Sequence, residues 1–63
     1  MSVNRWDIVR HFEKNGYYFQ REGSNHTIYS NGKGKSVPIK RHKTFTRIAA
    51  NLLCKEANIP AIF

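Results

Sequence analysis

Hydrophobic and polar positions alternate along this chain with two different periods. Between residues 5 and 14, Ile8, Val9 and Phe12 fall on one stripe of a 3.6-residue repeat, which predicts an amphipathic helix. Asn4 suits its N-cap, and Asp7 stands at the third helical position, where a side-chain acceptor can complete a capping box. Val3 and Ile8 are spaced as a hydrophobic staple across that cap. Lys14 complements the negative end of the helix dipole, and Gly16 is a natural left-handed terminator.

After Gly16 the period shortens. Tyr17, Tyr18 and Phe19 favour a strand running to Arg21 or Glu22. Glu22-Gly23-Ser24-Asn25 is turn chemistry, and residues 26–29 form a second strand. Asn31-Gly32 is the strongest hairpin signal in the chain, followed by a third strand over residues 33–39. Pro38 donates nothing to a ladder, so this strand belongs at an edge or ends there. Residues 40–43 are a basic connection, with Thr44 or Thr46 available to cap a second helix. Ile48, Ala49, Leu52, Leu53 and Cys54 give that helix a broad apolar face. Asn58 can take the left-handed terminating position, Ile59 folds back onto the last turn, and Pro60 bars continuation. The expected fold is α+β, with the order αβββα: a three-stranded antiparallel sheet, two helices on one face, the other face wet.

The chain has 63 residues, enough for one domain over 1–63, 40% of them hydrophobic. Its single cysteine permits no internal disulfide framework, which favours a reducing cytoplasm. No apolar run reaches a membrane span, and the opening MSVNRWDIVRH has no signal-peptide core.

Charge adds more. The net charge is +7, with a pI near 10.1. Residues 1–22 nearly balance: Arg5, Arg10, Lys14 and Arg21 oppose Asp7, Glu13 and Glu22. Residues 23–55 carry Lys33, Lys35, Lys40, Arg41, Lys43, Arg47 and Lys55 and no acid. A one-sided basic stretch reads as a phosphate-facing surface, and the partner class is nucleic acid.

Which chemistry could act on such a partner is narrowed by what is scattered. Asp7, Glu13, Glu22 and Glu56 form no pair at ligand spacing, so two-metal hydrolysis is not expected and no metal site or cofactor is assigned. Cys54 is alone on an apolar helix face and reads as core packing. Gly32-Lys33-Gly34-Lys35 is a hairpin turn rather than a nucleotide cradle. Histidine remains. RNA carries its own nucleophile, the 2′-hydroxyl, and an imidazole titrating near neutrality can remove that proton while cations offset charge on phosphorus. His26 is the leading candidate, because it follows the tight turn Gly23-Ser24-Asn25 at the mouth of a strand. His42, inside Lys40-Arg41-His42-Lys43, reads as a phosphate contact, and His11 as a surface or boundary residue. Strand parity puts His26 on the same side as Ile28, which is expected to face the core. Either the strand starts after His26, or a bulge near Asn25 re-aims the ring.

Three blocks carry a family likeness: residues 21–29 (REGSNHTIY), residues 37–43 (VPIKRHK) and residues 54–60 (CKEANIP), together with the helix ending Lys14-Asn15-Gly16-Tyr17. In order and spacing, over nearly the whole chain, they resemble the HicA (YcfA-like) toxin family. That resemblance implies a double-stranded-RNA-binding-domain-like αβββα fold and the activity of an mRNA interferase, a metal-independent endoribonuclease that blocks translation. It implies a HicB-type antitoxin covering the active site. The family's catalytic histidine maps onto His26. Many relatives read Gly-Ser-His-His, where this chain has Asn25; others carry Gly-Ser-Asn-His, as here, and use the final histidine. Gly23 and Ser24 then shape the turn. Lys33, Lys35, Lys40, Arg41, His42, Lys43 and Arg47 are the expected RNA-backbone contacts, and Tyr18 and Tyr29 either stack on a base or cover the sheet. The chain is expected to be a monomer when free. Left open is the acid that protonates the leaving oxygen: His42, a lysine or water. The alternative is a non-catalytic double-stranded-RNA-binding module, which explains the fold and charge equally well.

Overall fold

The computed structural model describes residues 2–63. Its elements run β1 (Ser2–Asn4), α1 (Arg5–Lys14), β2 (Tyr18–Glu22), β3 (His26–Ser30), β4 (Ser36–Lys40), β5 (Thr44–Thr46) and α2 (Arg47–Glu56). The expected helix, three strands and helix are all present. The three strands form one antiparallel sheet in the order β2-β3-β4. Two strands were not expected. β1 and β5 pair antiparallel as a separate ribbon, with Val3 opposite Phe45.

Both helices start and stop by the means their sequences offer. Asn4 caps α1, its side chain accepting from the Trp6 amide at 2.9 Å. Asp7 does not return a capping bond; it lies 3.8 Å from Arg10 in an exposed pair. Thr46, rather than Thr44, caps α2 and accepts from the Ala49 amide at 3.1 Å. Each helix closes with a Schellman pair of backbone bonds. In α1 the Gly16 and Tyr17 amides donate to Glu13 and Phe12 carbonyls, and in α2 the Asn58 and Ile59 amides donate to Lys55 and Cys54. The left-handed residue is Gly16 in the first case and Asn58 (φ 61°) in the second. The Tyr17 ring meets Phe12 edge-on at 5.1 Å, the apolar contact that accompanies such a motif.

One face of the sheet is covered. Ile8, Val9 and Phe12 of α1 and Ala50 and Ala57 at α2 close on Tyr29, Val37 and Ile39, with Val3 completing the cluster. Phe12 is fully buried, and truncating it to alanine would cost about 3–5 kcal/mol, a large share of what a domain this small possesses. α2 is turned differently from expectation. Ile48 and Leu52 are exposed, whereas Ala50, Cys54 and Ala57 face inward with Leu53 half-buried. Small side chains on the inward stripe let the helix lie close to the sheet.

β3 is also turned. Thr27 and Tyr29 are the buried residues, paired with Ile39 and Val37 of β4. Ile28 therefore faces away from the core, half-buried opposite Pro38, and His26 shares that outward side opposite Lys40. A bulge occurs, but on β2, where the register shifts between Phe19 and Arg21. β4 is an edge strand, which accommodates Pro38. The Asn31-Gly32 hairpin has a longer loop than expected, since β4 starts at Ser36 and not at residue 33. The Asn31 amide donates to the Lys35 carbonyl, and the Asn31 side chain accepts from the amides of Lys33 and Lys35. Among the described residues, no helix is long and apolar enough to cross a membrane.

Candidate nucleic-acid cleavage site

The turn between β2 and β3 is held from outside. Its own closure is one bond, from the Gly23 amide to the His26 carbonyl at 2.7 Å. A Cβ on Gly23 would lie 3.2 Å from that same carbonyl oxygen, so it is close approach and not a left-handed φ that favours glycine here. Arg41 reaches across from the segment after β4. Its guanidinium donates to the carbonyls of Gly23, Ser24 and His26 and to Glu22 Oε1, with Nη2 2.9 Å from that carboxylate. Glu22 Oε1 also accepts from the Thr27 hydroxyl, which in turn accepts from Arg5. Arg5 closes the circuit by donating from Nε to the Lys40 carbonyl at 3.2 Å. The bonds from Arg41 and Thr27 hold the Glu22 carboxyl below the usual carboxylate range.

This brace fixes the start of β3 against the end of β4. His26 is half-buried and opposes Lys40 in register. Two open cavities meet there. The larger, of about 790 Å³, runs between this edge and α2, lined by His26, Pro38, Lys40, His42, Phe45 and Leu52 among others. The smaller, of about 500 Å³, is lined by Asn25, His26, Lys40, Arg41 and His42. Neither His26 nor His42 has a ring hydrogen bond among the described residues, whereas His11 does. His11, expected at the surface or boundary, is buried, with Nε2 2.6 Å from the Pro60 carbonyl and its ring edge-on to Phe63.

The other anticipated residues separate into two groups. Lys40 and His42 join His26, and Lys43 lines an adjoining cavity with Asn4, Arg5, Trp6, Arg41 and His42. Lys33 and Lys35 lie in the hairpin loop beyond Ser30, roughly 13 Å along β3 from His26 at the usual strand rise. Arg47 opens α2 and donates to the Phe63 carbonyl. Gly23 and Ser24 present carbonyls to Arg41, which makes that arginine a brace for the turn more than a free surface cation. Tyr29 belongs to the core; Tyr18 is exposed. Burial pushes the Tyr17, Tyr29 and Cys54 groups up, so Cys54 stays a thiol inside the core. No group of three His, Cys, Asp or Glu side chains converges at metal-ligand geometry among the described residues.

Sequence reasoning missed Arg5, Phe45, Leu52 and Glu56 as neighbours of this site. Phe45 had a faint signal in the alternation Thr44-Phe45-Thr46. The others are brought near by tertiary packing alone.

A family model described as "HicA toxin of bacterial toxin-antitoxin" matches residues 6–59. No curated protein and no solved structure matches the chain.

Proposed function

Because the chain belongs to the HicA toxin family, and so is the toxin member of a toxin–antitoxin pair, we propose that it is an endoribonuclease that cuts mRNA without a metal ion and thereby stops translation. The observation that carries this reading is the pairing of His26 with Lys40 at the meeting point of two open cavities, on a strand end braced by Arg41. Neutral His26 takes the proton of a ribose 2′-hydroxyl. The oxygen attacks the adjacent phosphorus, giving a 2′,3′-cyclic phosphate on one fragment and a 5′-hydroxyl on the other. Lys40 offsets the charge that builds on the phosphoryl oxygens, a task that needs a fixed cation and no proton transfer. Lys43 holds the neighbouring backbone, and Lys33, Lys35 and Arg47 reach nucleotides further along. General-base assistance of this kind contributes about 10²- to 10⁴-fold. The setting is the cytoplasm, where the substrate is.

The antitoxin, a HicB-type protein on this reading, covers the same cavities. Leu52 stands exposed on the wall of the larger one, and apolar surface beside a charged site suits a protein inhibitor.

The test is incubation of the pure chain with RNA in excess EDTA, followed by end-group mapping. Cleavage with cyclic-phosphate ends, abolished in His26→Ala, is expected. A requirement for divalent metal, or undiminished cleavage by His26→Ala, sinks the reading. Duplex RNA bound and left whole would identify a passive binding module instead.

A further inference from the structure

Two imidazoles line both cavities. Lys40 pairs with His26 across the β3–β4 ladder, and His42 follows Lys40 by two residues, so the chain leaving β4 carries a second ring to the walls that His26 lines. The His42 ring rests edge-on against Phe45, centroids 6.0 Å apart, while its nitrogens have no hydrogen-bond partner among the described residues. Its backbone neighbour Arg41 is bonded to the turn that bears His26, so one side chain ties the two backbone segments that carry the histidines. A ring set against an aromatic edge, with no hydrogen bond on its nitrogens among the described residues and lining the same cavities as His26, is available for proton transfer.

We propose that His42, as an imidazolium, is the general acid of the cleavage, donating its proton to the departing 5′-oxygen while His26 removes the 2′-hydroxyl proton. This rests on the ribonuclease reading above. The bonds balance: O2′–H breaks to His26, O2′–P forms, P–O5′ breaks, and O5′ takes the proton of His42. His26 ends protonated and His42 neutral, and exchange with water restores both. Lys40 is already committed to the charge on the phosphoryl oxygens, a task that needs a fixed cation and no proton transfer. The titratable and charged groups facing His42 are His26 and Lys40 across the cavities, Arg41 and Lys43 beside it, Glu56 from α2 and Arg5 from α1. The limbs of the pH profile belong to that set.

The experiment compares ordinary RNA with RNA whose scissile linkage carries a bridging 5′-sulfur, a leaving group that needs no acid. Three chains are used: native, His42→Ala and His26→Ala. His42 is exposed, so His42→Ala should keep the native melting temperature, which is measured alongside. Expected for His42→Ala is a loss of about 10²- to 10⁴-fold on ordinary RNA with near-native cleavage of the sulfur linkage. His26→Ala should be slow on both. Equal loss on both substrates overturns the assignment and leaves His42 a phosphate contact. No loss on ordinary RNA overturns it too. A native chain inert on both substrates instead removes the ribonuclease reading on which the assignment stands.

Discussion

The sheet has two turns, and they are built on opposite plans. At one end, residues 31–35 form a hairpin that supports itself. Its bonds run within the loop, from the amides of Lys33 and Lys35 to the Asn31 side-chain oxygen, and Gly32 and Gly34 take the left-handed positions. At the other end, residues 22–26 make one bond of their own and rely on Arg41, Arg5 and Thr27 from elsewhere. The first turn is local and carries cations. The second is tertiary and carries the imidazole. A turn held by side chains from distant elements fixes atoms to within tenths of an ångström, which proton transfer needs and phosphate binding does not.

That contrast can be broken most severely at Arg41. Arg41→Leu removes every bond from its guanidinium to the turn at once, leaving only the Thr27 and Arg5 bonds, and RNA cleavage is expected to fall about 10²-fold through misplacement of His26 and His42. Because the side chain is partly exposed, the cost in stability should be only ~1 kcal/mol, read as a fall of about 4–8 °C in Tm. Cleavage at the native rate in a chain with that lowered Tm would show the brace to be irrelevant to chemistry.

Paired glycine substitutions sharpen the same point at smaller cost. Gly34→Ala places a side chain where φ is +92° in open space, so it should lose roughly 1 kcal/mol of stability and leave cleavage per folded molecule unchanged. Gly23→Ala meets the His26 carbonyl at 3.2 Å, and should lower cleavage about tenfold with a similar thermal shift. Denaturant unfolding alongside initial cleavage rates separates the two outcomes; a reversed pattern refutes the division of labour.

Smaller still is the effect of removing the hairpin cations. Lys33→Ala with Lys35→Ala should leave cleavage of a short oligonucleotide intact and lower the salt slope for a long single strand by about 1.4, near 0.7 for each phosphate no longer neutralised. An unchanged slope would take both lysines out of the RNA path.

The mildest probe is acid. In the folded chain Glu22 titrates below its ordinary value of 4.5, first because Arg41 bonds to it and then because Thr27 does. Its contribution is therefore present in full above that range and is lost as pH falls through the lowered folded value. The Tm gap between the native chain and Glu22→Gln should hold from pH 7 down to about 5 and narrow below pH 4.5. A gap constant to about pH 3 would mean the carboxylate charge is not what steadies the turn.

The same division explains what was legible beforehand. Asn4, Gly16, Asn31-Gly32 and Asn58 act on neighbours within a few positions, and each does in the structure what its chemistry announces. The faces of β3 and α2 are decided at longer range. Ile28 looks more apolar than Thr27, yet Ser36-Val37-Pro38-Ile39-Lys40 alternates cleanly, and its inward Val37 and Ile39 oppose Tyr29 and Thr27. Thr27 is acceptable inside because its hydroxyl is bonded to Glu22 and Arg5. Cross-strand register, not residue-by-residue hydropathy, was the usable signal. For α2, counting apolar residues favoured Ile48 and Leu52, whereas close approach to the sheet selected Ala50, Cys54 and Ala57. Of the site, His26 and Lys40 stood in readable motifs; their joining to Phe45, Arg5 and α2 required the third dimension.

The small ribbon of β1 with β5 has a consequence in time. Val3 waits for Phe45, His11 for Pro60 and Tyr17 for Ala57, so the earliest stretch of the chain completes its bonds only with the latest. A ribosome halted midway leaves an unarmed fragment, in which the first histidines exist and no cavity does. The larger cavity is complete only once residues 44–56 have packed, after the slow search that distant pairings impose.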